Sequence, residues 1–130
     1  MNFSDLDIIA RTIYGEARGE PYEGMVAVAH VIFNRVKKSG HTQTPAQVCL
    51  KPWQFSCWNP RDKNHEIVQD VKLDDISFRL AMRAALEAFD GADMTNGATH
   101  YCHIKLYPDW AQGHEPVKVI GNHKFYKDIP

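Results

Sequence analysis

Small and apolar side chains recur at Leu6, Ile9, Ala10, Ile13 and Ala17, a spacing of three and four that draws one stripe along a helix. Ser4 followed by Asp7 reads as its N-terminal cap, so a first helix is expected from about Asp5 to Ala17, stopped by Gly19 and Pro21. In YEGMVAVAHVIFNRVKK the pattern changes. From Met25 to Phe33 the chain is apolar nearly all the way round, as a central, buried helix is, with Lys37 and Lys38 in the last turn and Gly40 as its stop. Thr44-Pro45-Ala46-Gln47 is a capping box with proline at the first helical position and opens a short helix through Leu50. From Lys51 to about Leu73 no period is sustained, which predicts a long loop with short turns. Asp74 or Asp75 can then cap ISFRLAMRAALEAFD, a helix ended by Gly91. The remaining THYCHIKLYP and PVKVIGNHKFY are short, aromatic and β-branched, and Gly121-Asn122 is a two-residue hairpin signal, so irregular structure with a small two-stranded ribbon is expected. The fold class is mainly α (α+β): one helical domain over 1–130 with a minor β-hairpin.

Bulk composition narrows the function classes. With 130 residues, 44% hydrophobic and 24% charged, the chain can bury a core and is not disordered as a whole. A net charge of -1 gives the whole molecule no strong pull toward nucleic acid or an anionic membrane, and no apolar run is long enough to cross a bilayer. Cys49, Cys57 and Cys102 are odd in number and include no CxxC pair, which argues against a disulfide framework and for a reducing compartment. MNFSDLDIIA has no basic start and no long apolar run, so no signal peptide is expected and the protein is expected to stay in the cytoplasm until released.

The stretch IYGEARGE holds the chief candidate for chemistry. Glu16 sits at the edge of the apolar stripe, flanked by Gly15 and Ala17 with Gly19 beyond, small neighbours expected to leave room for a ligand. Its ordinary alternative is a helix-end ion pair with Arg11, Arg18 or Arg35. Burial of a carboxyl disfavours its charged form, and a glutamate protonated near neutral pH can donate a proton to a leaving oxygen. Glu20 precedes a proline at a turn; Glu23, Asp62, Asp70, Asp74 and Asp75 read as caps or solvated residues. Trp53, Phe55, Trp58, Tyr101, Tyr107, Trp110 and Tyr126, interleaved with Gln54, Ser56, Asn59 and Asn122, offer the mixture of apolar faces and hydrogen bonds that sugars need, although Phe55 and Trp110 fit a core better. His100 and Cys102 share a strand face, and His123 could reach them from the hairpin to hold zinc; without HExxH or CxxC spacing no metal is the expectation and zinc the minority alternative.

Ala10 to Val36, ARTIYGEARGEPYEGMVAVAHVIFNRV, resembles the signature of the cell wall hydrolase family, which includes the catalytic domains of spore cortex-lytic enzymes and many phage endolysins. QFSCWN at Gln54–Asn59, GATHYC at Gly97–Cys102, PDWA at Pro108–Ala111 and IGNHKFY at Ile120–Tyr126 follow in the family's order. The resemblance implies a lysozyme-like helical fold and cleavage of peptidoglycan glycan strands, with the family's catalytic glutamate falling on Glu16. Glu20, Gln54, Ser56, Trp58, His100, Tyr101, Asn122 and His123 are expected to line the substrate cleft. The histidine-rich HYC and NHKFY stretches look more like the phage and proteobacterial branch, so an endolysin is expected: a monomer acting on peptidoglycan and freed by a separate holin-type pore. The rivals are a zinc-dependent amidase or peptidase using His100, Cys102 and His123, and a non-catalytic wall-binding module.

Overall fold

The first helix begins two residues before the expected start. In a computed structural model that describes residues 1–130, α1 spans Phe3–Ala17 and is capped by Asn2 rather than Ser4. Asn2 accepts from the Asp5 N–H at 2.8 Å, and the Asp5 carboxylate reaches back to the Asn2 N–H at 3.4 Å. Asn and Ser cap about equally well, so a tertiary contact decides. Asp5 also accepts from the Ala46 N–H at 3.3 Å, which ties the start of α1 to α3 (Pro45–Leu50). Asp7 is engaged elsewhere, on Arg11 Nε at 3.1 Å.

The helix α2 (Tyr22–Lys38) is buried without a break from Gly24 to Ile32, as its all-round apolar sequence requires. Around it pack α1, α3 and α5 (Ile76–Asp90), the last capped by Asp75, whose carboxylate accepts from the Phe78 N–H at 3.1 Å. A cluster of 21 buried residues, from Ile9 to Ala88, forms this core. Phe55 belongs to it at 1% exposure, as expected.

The segment expected to be a long loop contains more order than its pattern showed. A 3-10 turn covers Ser56–Trp58, and α4 spans His65–Asp70. Six residues with a single buried one, Val68, give no readable period. A distant side chain completes α4: Arg11 Nη1 donates to the carbonyls of Val68 (2.8 Å), Gln69 (3.1 Å) and Val71 (2.9 Å), satisfying the exposed helix end.

The β element is also larger than the expected two-stranded ribbon. β2 (Lys118–Ile120) and β3 (His123–Tyr126) form the hairpin across Gly121-Asn122, and β1 (His100–His103) joins the other edge of β3, giving the order β1-β3-β2, all antiparallel. The approach to β1 is fixed by Asp93, which accepts from the Thr95 N–H (2.8 Å), the Gly97 N–H (2.8 Å) and Asn34 Nδ2 of α2 (2.9 Å). In the register, His123 lies opposite His103 and Phe125 opposite Tyr101. Tyr101, His103, His123 and Phe125 therefore share one face, while His100, Cys102 and Tyr126 share the other. The first face packs toward α2, where Ala27, Val31, Ala98 and Phe125 form a second small core.

Candidate active site

The sheet meets α1 at Glu16. This residue lies in the last turn of α1, half-buried, and Oε1 accepts a hydrogen bond from Tyr101 Oη at 2.7 Å. None of the three arginines offered as ion-pair partners binds it. Arg11 caps α4; Arg18 donates to the Tyr14 carbonyl (3.0 Å) and Asn64 (2.8 Å). Arg35 donates from Nε to the Thr99 carbonyl at 2.7 Å and from Nη1 to Gln54 at 3.4 Å, with its guanidinium 4.9 Å from the centre of the Phe55 ring. Burial raises the Tyr101 phenol well above its ordinary range, and the neighbouring Glu16 charge raises it further, so Tyr101 remains a proton donor to the carboxylate. The Cys57 thiol beside Glu16 is pushed up by burial first and by Glu16 second, which keeps it protonated and inert.

The small residues around Glu16 have different reasons from the one expected. A Cβ added at Gly15 would lie 2.6 Å from Cys57 Cβ and 2.7 Å from both Cys57 Sγ and Val68 Cγ1. Gly15 thus lets the loop and α4 close onto α1. Ala17 is core at 2% exposure. Only Gly19 faces open space, with nothing within 4 Å of such a Cβ.

Glu20 stands at the corner between α1 and α2. Its Oε1 accepts from the Asn122 N–H at 2.7 Å and its Oε2 from Asn122 Nδ2 at 3.0 Å. Burial acts to raise this carboxyl, but the Asn122 hydrogen bonds and the neighbouring His123 outweigh it and hold the carboxyl below its ordinary value. At Gly121 (φ 58°) a Cβ would fall 2.6 Å from Glu20 Oε1, so the turn needs glycine for conformation and for space. Next to it, His123 is buried with Nδ1 lacking a hydrogen-bond partner and 3.9 Å from Glu20 Oε1, and its ring lies 4.9 Å from that of Tyr101. Glu20, Asn122, His123, Tyr101 and Glu16 form one connected line from the hairpin turn to the end of α1. All five were expected site residues, and the fold brings them together.

A model of the cell wall hydrolase family matches residues 19–126, most of the chain. The chain belongs to the cell wall hydrolase family. The matched range begins three residues after Glu16 and contains the rest of the connected line. Among relatives, the spore cortex-lytic enzymes of Halalkalibacterium halodurans and Bacillus subtilis are 35% and 34% identical over 94% of this chain. The aligned part is only 34% and 37% of those two proteins, so the chain spans about a third of their length. The crystal structure of the catalytic domain of the Bacillus cereus SleB protein matches with a TM-score of 0.80 at 31% identity, covering 98% of this chain and 92% of that one. The catalytic domain of the germination-specific lytic transglycosylase SleB from Bacillus anthracis matches at 0.77 and 32% identity, covering 98% and 97%. The family's mainly helical, lysozyme-like fold with a small sheet is thus the fold seen here.

Other expected site residues of this family member fall differently. Gln54 and Ser56 are exposed. Trp58 is half-buried against the core, with its indole N–H donated to Thr12 Oγ1 at 2.9 Å, so its edge is committed to α1. The freely exposed indole is that of Trp53, 80% exposed and held at φ 67°, an unusual backbone conformation for a bulky residue. Sequence reasoning placed Trp53 only in the general aromatic set; its exposure depends on a turn with no local signature. Trp110 packs edge-on against Tyr126 at 5.2 Å and lies 5.1 Å from His100. The zinc candidates separate, because the β1–β3 register puts His123 on the opposite face from His100 and Cys102. A three-ligand site from that trio does not fit this sheet. A pocket bordered by Arg35, Gln54, Thr99 and His100 opens at the start of β1, and Glu16 does not line it.

Burial holds His30, His100 and His123 below the ordinary histidine value, His100 at about 4. Below about pH 6.5 the unfolded chain binds protons that the folded chain resists, so this contribution to stability is complete above that pH and lost as pH falls toward 4. The lowered carboxyls of Glu20 and Asp93 extend the loss to more acid pH. Tm is expected to fall steadily between pH 7 and pH 4 in a melting series; a flat profile would contradict the neutral, buried state of these rings.

Proposed function

We propose that this chain cleaves the glycan strands of peptidoglycan at the β-1,4 bond between N-acetylmuramic acid and N-acetylglucosamine, with Glu16 as the acid and then the base. The observation that carries this reading is the half-buried Glu16 carboxyl, free of any cation and aimed by the Tyr101 hydroxyl at 2.7 Å. Family membership and the likeness to a catalytic domain described as a lytic transglycosylase support it. The protonated Glu16 gives its proton to the glycosidic oxygen. The C1–O4 bond breaks, the N-acetylglucosamine leaves with its 4-hydroxyl restored, and positive charge develops at C1 of the muramic acid. Two-carboxylate glycosidases meet that charge with a second acid, at about 5 Å in retaining enzymes. Here the nearby Glu20 has both oxygens occupied by Asn122. The sugar's own acetamido group can stabilise the charge instead. Glu16, now a carboxylate, takes the proton of the muramic acid 6-hydroxyl, O6 bonds to C1, and a 1,6-anhydro end forms with Glu16 reprotonated.

Mass spectrometry of muropeptides from digested sacculi tests this directly. Anhydro ends are the expected product; reducing ends would make the chain a hydrolase, and free amines from severed stem peptides would overturn the reading. No metal is needed, so activity should persist in chelator. Tyr101→Phe keeps the ring and removes the hydroxyl that orients Glu16. It is expected to lower kcat roughly tenfold to a hundredfold with little change in KM, measured on purified glycan strands. An unchanged kcat would show that Glu16 is aimed by something else. A role as a monomeric phage or prophage endolysin, stored in the cytoplasm and freed by a holin-type pore, is supported by the His100–Cys102 and Asn122–Tyr126 stretches. Lysis of expressing cells only when a pore protein is co-expressed would test it.

A further inference from the structure

A concave surface that ends at Thr99 and His100, next in the chain to Tyr101, is cationic, and the cleavage chemistry leaves that charge unused. A pocket of about 280 Å³ opens between the end of α2, α3 and the start of β1. Arg35, Lys38 and Lys51 contribute three positive charges, Gln54, Thr99 and His100 add polar groups, and none of its nine lining residues is acidic. The chain as a whole carries -1, so this is a local concentration of charge. Two of the three cations are held in place. Arg35 is fixed by the Thr99 carbonyl at 2.7 Å and by the Phe55 ring beneath it, and Lys38 Nζ donates to the Ile129 carbonyl at 2.7 Å. Cations whose positions are set before binding lose little freedom when an anion arrives. The low value of His100 follows from burial first and then from the charges of Arg35 and Lys38, which agrees with a positive field in the pocket.

We propose that this pocket binds the carboxylates of the peptide stem carried by muramic acid, beside the sugar ring that reacts at Glu16. The proposal rests on the glycan-cleaving reading. Arg35 joins the two regions: it lines the pocket and donates to the Thr99 carbonyl at 2.7 Å, two residues before Tyr101, whose hydroxyl holds Glu16. An anion covalently close to the reacting ring fits that arrangement. A peptide stem hangs from the C3 lactyl ether of the muramic acid whose C1 is attacked, and it ends in free carboxylate. A wall phosphodiester attached at the muramic acid 6-hydroxyl shares the negative charge, but it would block the oxygen that closes the anhydro ring.

Two measurements on the full chain test the pocket. In the first, the free tetrapeptide L-Ala-D-Glu-meso-diaminopimelate-D-Ala is titrated into E16Q protein and followed by NMR. Saturable shifts at Gln54, Thr99 and His100 are expected. They should weaken at least about tenfold when Lys38→Gln and Lys51→Gln are added, and also in about 0.5 M salt. In the second, KM is compared for peptide-bearing strands and strands denuded by an amidase. The denuded strands should show a KM higher by about fivefold or more, and this ratio should collapse toward one in K38Q/K51Q. Lys51→Gln alone, at an exposed position, gives a partial collapse and guards against a folding defect in the double variant. The proposal is overturned if the tetrapeptide does not bind, if it binds the lysine variant equally well, or if glycerol phosphate binds more tightly than the peptide. Peptide binding needs no turnover. A chain that binds the peptide but cuts no glycan would sink the cleavage reading instead, and one that cuts both strands with equal KM while ignoring the peptide would sink only the pocket.

Discussion

Glu16→Gln is expected to reduce release of soluble fragments from purified sacculi by about 10²–10⁴-fold, the usual contribution of a positioned general acid or base. The fold should be little affected. Glutamine has nearly the same shape, and its carbonyl can still accept from Tyr101 Oη. Neither Arg11, Arg18 nor Arg35 loses a partner, since each is bonded elsewhere. Tm should therefore stay within about 2 °C of the parent, and binding to sacculi should persist. That pairing of lost turnover with kept binding also separates a glycan-cleaving chain from a wall-binding module, in which the substitution would change nothing measurable. Retention of most of the activity in Glu16→Gln would move the acid elsewhere, and Glu20 would be the next residue to replace.

How far the chain could be read depended on the range of the interaction. The central helix from Tyr22 to Lys38 declares itself in consecutive residues, because a helix buried all round needs apolar residues all round. Thr44 with Gln47 and Asp75 with Phe78 are likewise local, cap and partner three residues apart. The Gly121-Asn122 turn was legible for the same reason. What escaped depends on distant partners. The choice of Asn2 over Ser4 rests on an Asp5–Ala46 contact, α4 is completed by Arg11 from α1, and β1 becomes a strand because β3 offers it an edge. The site shows the same division. The edge position of Glu16 follows from helix spacing, but the Tyr101 hydroxyl that holds it comes from 85 residues away. The zinc trio failed on register: alternation along β1 correctly placed His100 with Cys102, but only the pairing with β3 reveals that His123 faces the other way.

Gly15→Ala should be the most damaging substitution of a single methyl group near the site. The added Cβ would be 2.6–2.7 Å from Cys57 Cβ, Cys57 Sγ and Val68 Cγ1, closer than real contacts allow, and all three of these atoms either are a Cβ or are bonded directly to one. Neither Cys57 nor Val68 can turn away cheaply, because both are fully buried. Alanine is the better helix former by about 1 kcal/mol in an exposed helix, yet overpacking a tight interior costs about 1–3 kcal/mol, and the second effect wins here. For a chain of this length that is a drop in Tm of roughly 4 °C for each kcal/mol lost. The strain also has a direction. Relief requires the Ser56–Trp58 turn and α4 to move outward from α1, and both border the turn that carries Glu16. Activity on sacculi should therefore fall by more than the melting loss explains when assayed well below Tm, where nearly all the protein is folded. If Gly15→Ala melts like the parent and cuts like it, the contact between α1, Cys57 and Val68 has slack, and the glycine next to the acid would again be best explained by room for the substrate.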